Sequence, residues 1–190
     1  HVVAGRDLDY SVCYPRAAFD RQSSLCDANY FKYYVLKFAR ISFDEQALED
    51  DFQAFADFLL REEDRFFLYR DFQSRNIMLL NDAPYFIDYQ GGRRGALQYD
   101  LASLLYDAKA EIPPDARDAL LEHYLSAVGR YLPIDRNAFI EGYHGYALIR
   151  MMQALGAYGF RGLYEKKAHF IQSLPFALDN LRHFLDTARL

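Results

Sequence analysis

The amino-acid sequence predicts a mainly α-helical fold with small β-hairpins, and three observations support this. Apolar residues recur at helical spacing before residue 66 and again after residue 99. Between these stretches lie short apolar runs bounded by turn-forming residues, a pattern typical of hairpins. The 190 residues are 52% hydrophobic and 26% charged, which suits one soluble domain with a sizeable core.

The N-terminal third is predicted to begin irregularly and then to form two helices. Residues 1–24 carry few periodic signals, so we expect an irregular, tyrosine-rich lead-in there. Residues 25–39 repeat apolar side chains at helical intervals. Ser42 and Glu45 have the spacing of a capping box, which predicts a second helix reaching about Glu62.

A strand and a hairpin are predicted next. The apolar run at 66–69 suits a buried strand that leads into a loop at Asp71. Runs at 77–80 and 85–87 flank a strong turn signal at 81–84. Pairing around that turn brings Asn76 and Asp88 to facing strand ends, within one residue of opposite each other.

Asp71, Asn76 and Asp88 are the predicted catalytic residues. In phosphoryl transfer, one carboxylate orients the acceptor hydroxyl, while an amide oxygen and a second carboxylate hold Mg²⁺ on the phosphates of ATP. We therefore predict Asn76 and Asp88 as the metal ligands and Asp71 as the base. A lone aspartate more often makes a local turn hydrogen bond, but the spacing of all three favours catalysis.

Four further polar residues are predicted to complete the site. Arg75 is assigned to the bound nucleotide because an arginine there can neutralise phosphate. Gln90 and Arg93 are assigned to the acceptor, near the mouth of a pocket built by the later helices. Asp100 is assigned to the nucleotide side of the site. Two interpretations of its role stay open: it is an N-cap of the following helix, or it is a carboxylate that supports the Asp71 loop.

Few functional residues are predicted in the remaining segments. Residues 89–95 are expected to form a flexible basic loop that either cradles a phosphate or turns the chain. Asp107 is expected on a helix surface, and the glycines of 156–162 at a tight junction between helices. Helices are predicted at 100–109, 114–131, 135–156 and 173–188, and the histidines at 123, 144, 169 and 183 are expected to be structural or exposed.

Charge and composition exclude several classes of function. The net charge of −5 argues against nucleic-acid binding. The two cysteines form neither a disulfide framework nor a zinc motif, and no apolar run is long enough to span a membrane. These features predict a cytoplasmic protein whose partners are small molecules.

The three motifs resemble the aminoglycoside phosphotransferase and choline kinase superfamily. That family has a His-x-Asp-x-x-x-x-Asn loop, a metal-binding aspartate after a hairpin, and a Tyr-Asp-Leu-Ala helix start. Here the loop reads Tyr69-Arg70-Asp71 through Asn76, followed by Ile87-Asp88-Tyr89 and Tyr99-Asp100-Leu101-Ala102. The resemblance covers residues 68–105 and is strongest to bacterial kinases that phosphorylate N-acetylmuramate or N-acetylglucosamine at the anomeric hydroxyl in cell-wall recycling. It implies a protein-kinase-like fold, ATP, Mg²⁺ and an amino-sugar acceptor.

Two departures from the family pattern shape the expectation. Tyr69 stands where the family usually has histidine, which bears on the packing of the loop. No glycine-rich hairpin and no strand lysine precede Asp71, and the chain begins with His1. We therefore expect a single domain over residues 1–190 that is the C-terminal lobe of the fold with the N-lobe absent, and that has little activity by itself. Its expected parts are the lead-in (1–24), a helical segment (25–66), the catalytic and metal-binding loops (67–98) and a helical substrate-side subdomain (99–190).

Two other functions are compatible with the same residues. One is a catalytically silent kinase-like module that binds a nucleotide or a partner protein. The other is a metal-dependent phosphoesterase that uses Asp71, Asp88 and Asp100.

Overall fold

The computed structural model describes residues 1–187, and it is mainly helical with two small antiparallel sheets, as predicted. The helices are α1 (Arg21–Phe31), α2 (Glu45–Leu59), α3 (Leu97–Leu105), α4 (Pro114–Val128), α5 (Arg136–Tyr158), α6 (Ala168–Ile171) and α7 (Leu174–Thr187). The strands are β1 (Phe66–Leu68), β2 (Ile77–Leu80), β3 (Ala83–Phe86) and β4 (Arg93–Gly95). Over residues 1–187, no helix combines the length and the apolar character needed to cross a membrane.

Helix α5 is the centre of the core. It packs against α1, α3 and α7, and its middle is lined by buried apolar side chains such as Tyr146 and Ile149. At its end the helix continues as a π-helical segment, Gly159–Tyr164. A Cβ on Gly159 would lie 2.1 Å from the Tyr34 carbonyl oxygen, so only glycine permits this approach. The predicted tight junction between helices is confirmed.

The first helix begins four residues before the predicted start. Asp20 caps α1 because its side chain accepts a hydrogen bond from the Ser23 amide at 2.9 Å. The irregular lead-in is therefore shorter than expected, and it contains two short 3₁₀ turns. It packs along β4, where the Phe19 amide donates to the Arg94 carbonyl at 2.8 Å. Beyond α1 the chain continues as a π-helical segment, Lys32–Lys37.

Several predicted helix ends were wrong by a few residues. Helix α2 is capped by Asp44 and not by Ser42, since the Asp44 carboxylate accepts from the Ala47 amide at 2.9 Å. Helix α3 begins at Leu97, three residues before the predicted start, so Asp100 lies within its first turn. The predicted end of the last helix, Ala188, lies outside the described residues.

The two sheets confirm one prediction and correct another. Strands β2 and β3 form the predicted hairpin with Ile77 opposite Phe86. Its turn is the pair Asn81–Asp82, with φ of 49° and 60°, while 83 and 84 belong to β3. Residues 93–95 were expected in a flexible loop but form β4, which pairs with β1. The reason is that β1 needs a partner for its backbone groups, and Gly95 allows the strands to meet beside Leu68.

Candidate active site

Strand β1 delivers the catalytic loop, and Asp100 holds its first two residues in place. The Asp100 carboxylate is 1% exposed and accepts hydrogen bonds from the amides of Tyr69 and Arg70, the latter at 2.9 Å. Ala96 occupies the N-cap position of α3. Of the two interpretations of Asp100, the N-cap is therefore wrong and the support of the loop is confirmed. Its predicted part in nucleotide binding stays a prediction, and any such effect acts through the loop.

Tyr69 connects the loop to the hairpin. Its hydroxyl donates to the Ile87 carbonyl, and its ring packs edge-on against Phe72 with centroids 5.5 Å apart. Burial and the nearby carboxylate of Asp88 raise the pKa of Tyr69, so its hydroxyl keeps the proton that it donates. Tyrosine thus packs at the position where the family usually has histidine.

Asn76 and Asp88 lie next to each other, as the hairpin register requires. Asn76 Nδ2 donates to the Asp71 carbonyl at 2.8 Å and is 3.5 Å from Asp88 Oδ2. The Ile87 amide donates to the Asn76 carbonyl at 3.0 Å, which continues the ladder of the hairpin. Asp88 itself adopts φ of 71°, in the left-handed region that non-glycine residues seldom occupy. Aspartate is one of the non-glycine residues that adopt this region most readily, so the backbone turns sharply at Asp88.

This pair has the donor set that Mg²⁺ prefers. Because Asn76 Nδ2 donates a hydrogen bond to the Asp71 carbonyl, the amide oxygen Oδ1 is the atom left to bind a cation. Together with the Asp88 carboxylate it supplies two oxygen ligands, and Mg²⁺ commonly takes one or two protein ligands with phosphate and water completing the shell. Within residues 1–187 no cluster of three or more His, Cys, Asp or Glu forms a metal site. Two protein oxygens of this kind fit a metal whose remaining ligands are nucleotide phosphates and water.

Asp71 lines a cleft of about 210 Å³ between the catalytic loop and the later helices. This volume is below the ~300–1,000 Å³ of drug-sized pockets and suits one small ligand. The cleft is lined by Asp71, Gln73, Ser74, Arg75, Asp107, Lys109, Gln153, Ala154, Ala157, Tyr158, Arg161, His169 and Phe170. Asp71 is half-buried at its wall, so a ligand in the cleft can reach this carboxylate.

The prediction for Asp107 was wrong. It was predicted to be a helix-surface residue, but its carboxylate accepts from the Ser74 amide at 2.9 Å and from the Ser74 hydroxyl at 2.6 Å. It therefore anchors the middle of the loop from the end of α3. His169, expected to be structural or exposed, is exposed and also lines the cleft. No local signal marks either residue, because both contacts arise from packing between distant segments.

A buried polar network that sequence reasoning missed lies beneath the loop. Arg70 Nη2 donates to Asp27 Oδ1 at 2.9 Å, and the guanidinium lies over the Tyr99 ring. Burial by itself lowers the pKa of Arg70, but Tyr99 and Asp27 reverse this and raise it. Burial raises the pKa of Tyr99 to about 12. Arg150 joins the network because its Nη1 donates to the Tyr99 hydroxyl at 3.3 Å, and its Nη2 donates to Ser103 Oγ at 2.8 Å. Arg150 stands in an apolar stretch between Leu148 and Met152, which is a sequence signal for a buried charge, whereas Asp27 carries no such signal.

The remaining predicted residues occupy different surroundings. Arg75 is exposed and lines the same cleft as Asp71. Gln90 is exposed in the turn that follows Asp88. Arg93, predicted at the mouth of the pocket, is 5% exposed because it belongs to β4, and its Nε donates to the Gly91 carbonyl at 3.1 Å. Burial and the nearby Arg70 lower the pKa of Arg93.

Comparison with known proteins agrees with this geometry. A sequence model of the phosphotransferase enzyme family (APH) matches residues 16–134. An N-acetylmuramate/N-acetylglucosamine kinase of Neisseria meningitidis serogroup B is 29% identical over 86% of this chain and 51% of that protein. A kinase of the same name from Caulobacter vibrioides is 27% identical over 73% of this chain and 39% of that protein. The chain thus spans about half or less of the length of these relatives. With more than half of its residues matched, the chain belongs to the phosphotransferase enzyme family.

Proposed function

We propose that the protein of which this chain is a part transfers phosphate from ATP to a hydroxyl group of an amino sugar. The observation that carries the proposal is the adjacency of Asn76 and Asp88, 3.5 Å apart, on the loop whose Asp71 lines a ligand-sized cleft. The relatives named above support an amino sugar as the acceptor. We place the reaction in the cytoplasm, where ATP is supplied.

Each site residue has a distinct part in this proposal. Asp71 accepts a hydrogen bond from the acceptor hydroxyl and directs it towards the phosphate, since positioning contributes most to phosphoryl transfer. Asn76 and Asp88 hold Mg²⁺, which when bound neutralises charge on the nucleotide phosphates. Arg75 adds positive charge on that side of the loop. Asp100 and Asp107 keep the loop in this shape.

We further propose that the chain is the C-terminal lobe of this kinase and has little activity alone. One support is the share of the relatives that it spans. Another is the hairpin, which exposes a patch of large apolar residues: Met78, Leu79, Leu80, Tyr85, Phe86, Ile87 and Tyr89. Soluble monomers seldom leave such patches uncovered, so an N-terminal lobe that covers the hairpin accounts for it.

The proposal is tested by two substitutions in the longer protein that contains this chain. We expect Asp71→Asn and Asp88→Ala each to lower phosphate transfer from ATP to N-acetylglucosamine by about 10²–10⁴-fold, the usual range for a lost acid–base or metal-binding group. Transfer is measured as ADP release and as the sugar phosphate by mass spectrometry. The matched control is Asp82→Asn, the same chemical change at the exposed hairpin turn, with activity expected to be unchanged.

Two outcomes contradict the proposal. Full turnover by the Asp71 and Asp88 variants removes these residues from catalysis. Calorimetric binding of Mg-ATP without transfer to any amino sugar identifies the silent module instead. The phosphoesterase alternative is disfavoured by two contacts already described, since both Asp100 oxygens accept hydrogen bonds from loop amides.

A further inference from the structure

The acceptor cleft carries more positive than negative charge, although the chain as a whole has a net charge of −5. Three permanently basic residues line it (Arg75, Lys109 and Arg161), together with His169. Asp71 and Asp107 are its two acidic residues. Asp107 is engaged by Ser74, and Asp71 is needed for the acceptor hydroxyl in the proposed reaction.

The basic residues occupy two sides of the cleft. Arg75 is in the catalytic loop between Asp71 and Asn76, on the side proposed for the nucleotide. Lys109 follows α3, and Arg161 is in the π-helical segment after α5, on the side built by the later helices. Two cations therefore line the helical side, where the part of an acceptor remote from its reacting hydroxyl would lie.

Arg161 is available to a ligand. Its guanidinium is half-exposed and lies 3.8 Å from the Glu165 carboxylate, the outer limit of an ion pair. Glu165 has a closer partner in Lys167, at 2.7 Å. An exposed pair at that distance contributes little, so turning Arg161 towards a bound anion costs little. Lys109 is likewise exposed, and its long side chain can reach an anion in the cleft.

We propose that the cleft selects a sugar acceptor that carries a carboxylate, and that Lys109 and Arg161 bind this group while Asp71 binds the reacting hydroxyl. The inference rests on the proposed kinase function. The two sugars named for the relatives separate the chemistry, because N-acetylmuramate is N-acetylglucosamine with an ether-linked carboxylate. N-acetylmuramate has a lactyl ether in place of one hydroxyl, so a difference between the two sugars reports on the lactyl group, and the salt dependence of that difference reports on its carboxylate.

The experiment compares kcat/KM for the two sugars in the longer protein that contains this chain. We expect N-acetylmuramate to be preferred at low salt and the preference to shrink as ionic strength rises, because exposed charge pairs are screened. Lys109→Gln and Arg161→Gln should each lower kcat/KM for N-acetylmuramate about fivefold, the effect of one solvent-exposed ion pair. Turnover of N-acetylglucosamine should stay within twofold, which also shows that each variant is folded.

Lys37→Gln is the matched control, since Lys37 is an exposed lysine paired with Glu45 at 2.8 Å and is not among the residues that line the cleft. It should leave the ratio of the two kcat/KM values unchanged. Equal losses for both sugars, or the same selective loss in Lys37→Gln, overturn the inference and leave the kinase function standing. Failure of the unmodified protein to phosphorylate either sugar overturns the proposed function and the inference together.

Discussion

The base of the catalytic loop and the hairpin that carries Asp88 are held by opposite kinds of interaction. The base is buried and polar, with Asp27, Arg70 and Asp100 linked by hydrogen bonds and ion pairs. The hairpin is exposed along its length, with Leu79 76% and Leu80 58% accessible, and its shape follows from local turn chemistry. The candidate active site therefore combines Asp71, which follows the buried base, with Asp88, which follows the exposed hairpin.

Contacts between the two regions converge on the site. The Tyr69 hydroxyl reaches the Ile87 carbonyl, and Asn76 contacts both Asp71 and Asp88. A change in either region therefore reaches Asn76 and Asp88, the two proposed metal ligands. We therefore expect substitutions in the base to have the larger effect on the free energy of unfolding. Substitutions in the hairpin should change the site with little effect on the rest of the fold.

The largest expected effect comes from breaking the buried ion pair at the base. Asp27→Ala leaves the Arg70 guanidinium without its carboxylate, and we expect a loss of about 3–5 kcal/mol in the free energy of unfolding. Urea denaturation measures this loss. The double variant Asp27→Ala/Arg70→Met should recover much of it, because no uncompensated charge is then buried.

The control for this substitution is Glu122→Ala, which breaks the exposed pair between Glu122 and Arg136. Exposed pairs contribute little, so its unfolding curve should almost superimpose on that of the unmodified protein. Similar losses for the two single variants would mean that the base is no more sensitive than the surface.

The second effect comes from the carboxylate that holds the loop. Asp100→Ala removes the acceptor of two buried amides and should cost about 2–4 kcal/mol, since each buried donor left without a partner costs about 1–3 kcal/mol. The matched variant is Asp135→Ala, because the exposed Asp135 also accepts from two backbone amides, at 3.0 and 3.1 Å. We expect about 1 kcal/mol there, the usual value of a helix N-cap. Equal costs in thermal or urea unfolding would contradict the importance given to burial.

The smallest effect is expected at the tip of the hairpin. Asn81 has φ of 49°, a conformation that asparagine tolerates and alanine does not, so Asn81→Ala should destabilise the hairpin by about 1 kcal/mol. Asp82→Gly creates Asn-Gly, the preferred pair for this turn, and should do the opposite. Hydrogen exchange of the β2 amides measures both changes. A change of the same size across the amides of α5 would show that the hairpin is not separate from the core.

The hairpin shows how far local patterns reach. The turn signal at 81–84 and the apolar runs beside it predicted strands 77–80 and 85–87, and hence the facing positions of Asn76 and Asp88. Turn chemistry and alternation are properties of a few neighbouring residues, so one sequence is enough to predict them. Helix ends were less accurate because Asp20 and Asp44 compete with nearby residues as caps, and the choice depends on the approach of the chain.

By itself, the sequence determined the helical class, the hairpin and the spacing of Asp71, Asn76 and Asp88, because each depends on residues close together along the chain. The tertiary structure alone decided that Asp107 anchors Ser74, that Asp27 pairs with Arg70, and that Arg93 lies inside on a strand. It also brought Lys109 and Arg161 to the same cleft as Asp71. These contacts join residues more than 20 positions apart, and such partners are selected by the packing of whole helices, which no local pattern encodes.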